Sequence, residues 1–92
     1  MLAATNIKTL LQKSINKQNH NSCKYYAFLA KKAYLNYFSK EKYCNCIQKK
    51  DLFIEHFLKS AIESESFQTC SQFIDIFSKR LDLMVVNLVS CN

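Results

Sequence analysis

The sequence predicts an all-α protein, a small bundle of four to five helices in a single domain (residues 1–92), and three observations carry that reading. The 92 residues include no glycine and no proline, where average usage of roughly 7% and 5% would supply several of each. Apolar residues recur at helical spacing in four stretches, and short polar clusters separate them. Glycine supplies the positive-φ positions that tight hairpins need, so a chain without it is poorly equipped for β-hairpins. Helices joined by Asn, Ser or Lys turns need neither residue. The abundance of Lys, Asn, Ile, Phe and Tyr is the flavour of AT-rich coding, but the structural consequence holds whatever its origin. A chain of this length hides roughly 60–65% of the surface its unfolded form exposes, which allows one modest core and little room for a deep substrate cavity.

The first helix is expected over residues 2–17, where Ala3, Ile7, Leu10, Leu11 and Ile15 share one side and Lys8, Lys13 and Lys17 lie elsewhere around the wheel. Gln18–Ser22 is a polar break with Ser22 as the N-cap. The second helix runs from Cys23 to about Phe38, with an inward stripe of Cys23, Ala27, Ala30, Tyr34 and Tyr37. Ser39–Lys42 interrupts it, and Tyr43, Cys44 and Ile47 resume a helical pattern as far as Lys50. Asp51 caps a third helix whose apolar side is Leu52, Ile54, Phe57, Leu58, Ala61 and Ile62, with Glu55 and Lys59 set for an i, i+4 ion pair. Beyond the polar cluster Ser64–Ser66, the last helix carries Cys70, Ile74, Phe77, Leu81, Met84, Leu88 and Cys91 as a three-heptad seam, with Asp75 and Lys79 as a second i, i+4 pair. Ile76, Leu83 and Val86 fall outside that seam as a second apolar strip, which marks a helix central in its bundle or one that contacts another molecule.

Charge is divided unevenly. Ten lysines face the single acid Glu41 in residues 1–50, a balance of +9, whereas residues 51–92 hold three basic residues against six acids, a balance of −3. The basic half suits an anionic partner, and the two halves suit each other, within one fold or between copies. All five tyrosines lie at 25, 26, 34, 37 and 43, beside Phe28 and Phe38. Around Tyr25 and Tyr26 stand Lys24, Lys31, Lys32, Lys40 and Lys42, followed by Lys49 and Lys50. Lysines that neutralise phosphates release counterions, and exposed rings stack on unpaired bases. The same pattern describes a helix that packs its tyrosines inward while lysines reach outward. Exposure of the tyrosines separates the two readings.

Five cysteines, an odd number, with no secretory leader recognisable ahead of them, point to reduced thiols in an intracellular compartment such as the cytoplasm, an organelle or a host cell. No stretch approaches the roughly 20 apolar residues of a membrane span. Residues 1–40 contain no acid and begin with a basic amphipathic helix, the flavour of a transit segment or of weak attachment to an anionic membrane; packing on the bundle is the expected role. His20, Cys23, Cys44 and Cys46 are weak candidates for a zinc-stabilised module, because Cys44 and Cys46 chelate together only if Asn45 lies in a loop. No pattern joins a nucleophile, a base and an oxyanion site, so neither catalysis nor a cofactor is expected. The expectation is therefore a non-catalytic interaction protein. Its partner is another protein or a second copy, through Ile76, Leu83 and Val86, or alternatively RNA or single-stranded nucleic acid through the Lys/Tyr-rich surface of residues 24–50.

Overall fold

Four helices follow one another along the chain: α1 (Leu2–Asn16), α2 (His20–Phe38), α3 (Glu55–Ile62) and α4 (Phe67–Cys91). The computed structural model describes the backbone at residues 2–38 and 54–91, and the side chains at 5–36 and 54–84. No strand occurs among the described residues, and the protein is all-α.

Local chemistry sets the helix ends. The second helix starts three residues earlier than Ser22 as N-cap implied, because Asn19 holds that position and its side-chain oxygen accepts from the Ser22 backbone N–H at 3.0 Å. Both residues are good caps, and the earlier one wins by binding the N–H three residues on. Between α1 and α2, Gln18 adopts φ 49°, a left-handed conformation that glycine would normally take at a helix end. In a chain without glycine a polar residue bears the steric cost. Ser66 caps α4, its hydroxyl accepting from the Thr69 N–H at 3.2 Å. Ile54, which precedes α3, makes no side-chain cap. The interruption at 39–42, the resumed helix at 43–50 and the Asp51 cap lie outside the described residues.

One buried cluster joins all four helices. It takes Ile7 and Leu11 from α1, Cys23, Ala27, Ala30 and Tyr34 from α2, Leu58 and Ala61 from α3 with the preceding Ile54, and Cys70, Ile74, Phe77, Leu81 and Met84 from α4. The inward stripe of α2 and the seam of α4 are thus the ones the spacing predicts, as far as side chains are described. Tyr37, Leu88 and Cys91 lie beyond them. Small residues at three of the four inward positions of α2 let the larger α4 side chains approach. The Tyr34 ring meets Phe77 edge-on at 5.4 Å, and its hydroxyl reaches the Met84 sulfur at 3.8 Å. Lys8 pairs with Asp82 at 2.6 Å, tying the N-terminal half of α1 to the C-terminal half of α4. Asp75 and Lys79 pair at 2.9 Å as expected. Glu55 and Lys59 form no ion pair among the described residues and line a cleft together instead.

The cysteines depart from expectation. Cys23 and Cys70, both fully buried, are joined in a disulfide that links α2 to α4 across 47 residues of sequence. Each stood in a predicted inward stripe. Packing the two stripes together brings their Cα atoms to 6.4 Å, within the range a disulfide spans. Reduced thiols were therefore the wrong expectation for this pair, and a reducing compartment loses the support drawn from it.

Candidate binding surface

The outward side of α2 presents aromatic and basic side chains to solvent. A helix advances 100° per residue, so Asn21, Lys24, Tyr25, Phe28, Lys32 and Asn36 lie along one strip while Cys23, Ala27, Ala30 and Tyr34 point the other way. Tyr25 is 57% and Phe28 48% exposed. Tyr26 is half-buried and packs edge-on against Tyr25, with ring centres 5.2 Å apart. The ammonium of Lys32 stands 5.5 Å from the centre of the Phe28 ring, a cation–π contact that holds the exposed ring in place. Lys32 is exposed, and Lys24 and Lys31 are half-buried along their stems. None of the three lysines has an ion pair among the described residues. No acid occurs in α1 or α2, so every charged side chain that α2 itself presents is basic.

The tyrosines accordingly divide: Tyr34 serves the core, Tyr25 the surface, and Tyr26 lies between. Sequence spacing alone predicted Tyr34 but treated Tyr25 and Tyr26 as equivalent. Their difference is one helical step, which turns Tyr25 outward and Tyr26 toward a flank. Phe28 belongs to the same exposed strip and was not singled out. Its 3-residue offset from Tyr25 was the available signal. Lys40, Lys42, Tyr43, Lys49 and Lys50, the remainder of the expected basic surface, lie outside the described residues.

On α4 the second apolar strip faces solvent, with Leu83 61% and Ile76 37% exposed. The side chain of Val86 lies outside the described ones. Arg80 falls between Ile76 and Leu83 along the helix, on the same side of the wheel, and is exposed, so the strip is two apolar side chains with a cation between them. An open cleft of about 260 Å³ is lined by Lys31, Glu55, His56 and Lys59. It is smaller than the roughly 300–1,000 Å³ of typical small-molecule sites. A second, of about 190 Å³, lies between α1 and α4, with Leu11, Gln12, Ile15 and Ile74 among its walls.

Two of the four zinc candidates, Cys23 and His20, have other partners. Cys23 is committed to its disulfide, and the Nε2–H of His20 donates to the Ser64 carbonyl at 3.0 Å. Cys44 and Cys46 lie outside the described residues. Among the described residues no three His, Cys, Asp or Glu side chains are grouped to hold a metal ion, and no helix is long and apolar enough to cross a membrane. Buried Ser14 was not anticipated. Its hydroxyl donates to the Cys23 carbonyl at 2.8 Å and approaches the Cys23 sulfur at 3.3 Å, fixing α1 against α2 beside the disulfide. Its position i+7 from Ile7 and i+3 from Leu11 was the signal for burial. No protein-family model, curated protein or solved structure matches this chain.

Proposed function

We propose that this chain is a non-catalytic interaction protein: a small helical bundle, locked by the Cys23–Cys70 disulfide, whose outward α2 face binds another macromolecule. The observation that carries the reading is the pair of exposed rings, Tyr25 and Phe28, set among lysines on a helix without acids. Leaving two aromatic side chains about half exposed forgoes on the order of 1 kcal/mol of burial for each ring. A partner that covers them recovers that energy, and lysines beside them favour a partner with negative charge.

A second reading is self-association through α4, and the exposed Leu83 and Ile76 favour it. The acids of the C-terminal half and the lysines of the N-terminal half complement each other between copies, as Lys8 and Asp82 do within one chain.

Size exclusion with light scattering, run at low and high salt with ultraviolet spectra across the peak, tests both. The protein has five Tyr and no Trp and absorbs weakly, so a bound nucleobase dominates its spectrum. The proposal expects mass in excess of the 10.8 kDa monomer at low salt, reduced when Tyr25 and Phe28 are both replaced by Ala. Excess mass with a protein spectrum that disappears instead in Leu83→Asp selects the α4 reading. A monomer with a protein spectrum at both salt concentrations speaks against both.

A further inference from the structure

We infer that the exposed stripe of α2 is a single-strand nucleic-acid surface, on which unpaired bases stack against Tyr25 and Phe28 while Lys24, Lys31 and Lys32 take the phosphates. The inference rests on reading the outward α2 face as the interaction surface, and it names the partner. Base stacking needs a ring that offers a free face to solvent. Tyr25 and Phe28 are both about half exposed and stand one helical turn apart, roughly 5–6 Å between Cβ atoms. Lys32 stands over the Phe28 ring, where its ammonium can pass to a phosphate as a base takes its place on the ring.

Four features favour an unpaired strand over other anionic partners. Lysine is depleted at protein–protein interfaces even where aromatic residues are enriched, and this stripe interleaves the two. A duplex hides the faces of its bases, so exposed rings gain nothing from it. The only arginine of the chain, Arg80, lies on α4, so α2 lacks the residue most used to fork onto base edges in a groove. Exposed aliphatic side chains are absent from the described part of α2, so the two rings are its whole exposed apolar contribution to a lipid surface. Among the described acids, Glu63 and Glu65 flank Ser64, which His20 contacts at the start of α2, and Glu55 shares the Lys31 cleft with Lys59 and His56. The charge of Glu55 is offset there by two lysines.

The test is fluorescence anisotropy of the full, disulfide-intact chain with labelled oligo(dT). Unlabelled duplex of equal length, polyglutamate and phosphatidylserine vesicles serve as competitors. Oligo(dT) is expected to bind more tightly than all three. Tyr25→Ala with Phe28→Ala is expected to weaken it by at least about tenfold with the salt slope unchanged, since stacking on each ring contributes a factor of this order. Replacing Lys24, Lys31 and Lys32 by Gln is expected to reduce the slope of log K against log salt by about 2, at roughly 0.7 per single-strand phosphate contact. Circular dichroism melting verifies that each variant is folded; if a double variant unfolds, Tyr25→Ala and Lys32→Gln alone supply the same comparisons. Equal or tighter binding of duplex, polyglutamate or vesicles overturns the single-strand assignment. If that binding still depends on the α2 residues, the interaction face survives with a different partner. Binding of nothing, or binding indifferent to these residues, overturns both.

Discussion

At the scale of single residues, the disulfide and its surroundings have the greatest consequence for stability. Cross-linking 47 residues of sequence removes conformational freedom from the unfolded chain, on the order of 4 kcal/mol by loop-closure entropy. That is a large fraction of the 5–15 kcal/mol typical of small domains. Thiol titration of the denatured, unreduced protein should find at most three of the five cysteines free. Reduction and alkylation should lower the melting temperature steeply; five free thiols and a melting temperature indifferent to reductant would contradict the cross-link. Each cysteine's inward direction was legible from spacing, but their pairing was not. Two residues on different helices meet only through packing, and nothing local in sequence records which inward positions face each other. Ser14 is a similar case: a polar residue on an apolar stripe is readable as buried only once a carbonyl such as that of Cys23 is known to receive its proton.

At the scale of elements, the apolar periodicity of α1, α2 and α4 was legible because a helix that buries one side must repeat that side every three to four residues. Ends were less so. Asn19 and Ser22 are chemically equivalent candidates for the cap of α2, and only the observed bond from the Ser22 N–H to Asn19 decides between them. Asn19→Ala should therefore cost about 1 kcal/mol of stability by chemical denaturation. A loss from Ser22→Ala alone, with Asn19→Ala neutral, would contradict this start for the helix. The i, i+4 pairs show how weakly charge spacing constrains geometry. Asp75–Lys79 forms and Glu55–Lys59 does not, and a solvated pair of this kind is worth only about 0.3–0.5 kcal/mol, too little to hold two long side chains together wherever other charges compete.

At the scale of the whole molecule, the sequence divides its charge and the structure places each part. α1 and α2 carry six lysines and no acid among their described side chains, together with the turn that joins them. α3, α4 and their connection carry five acids against three basic residues. The described contact between these halves through opposite charges is the Lys8–Asp82 pair, so most of the lysines are left facing solvent. This combination of a lysine-rich helix without acids and two exposed rings, where the other described aromatic residues are buried or half-buried, underlies the proposed interaction surface. The charge division was plain in the sequence. Which aromatic residues belong to the core and which to the surface was not, because Tyr25, Tyr26 and Phe28 differ only by single helical steps.

The central claim, that the molecule engages its partner through the outside of α2, is tested most directly by amide chemical-shift mapping of the isotopically labelled protein during titration with oligo(dT) at low salt. The account predicts shifts concentrated at Asn21, Lys24, Tyr25, Phe28 and Lys32, retreating as salt is raised. Shifts confined to α4 around Ile76 and Leu83, or none at saturating oligonucleotide, would contradict it.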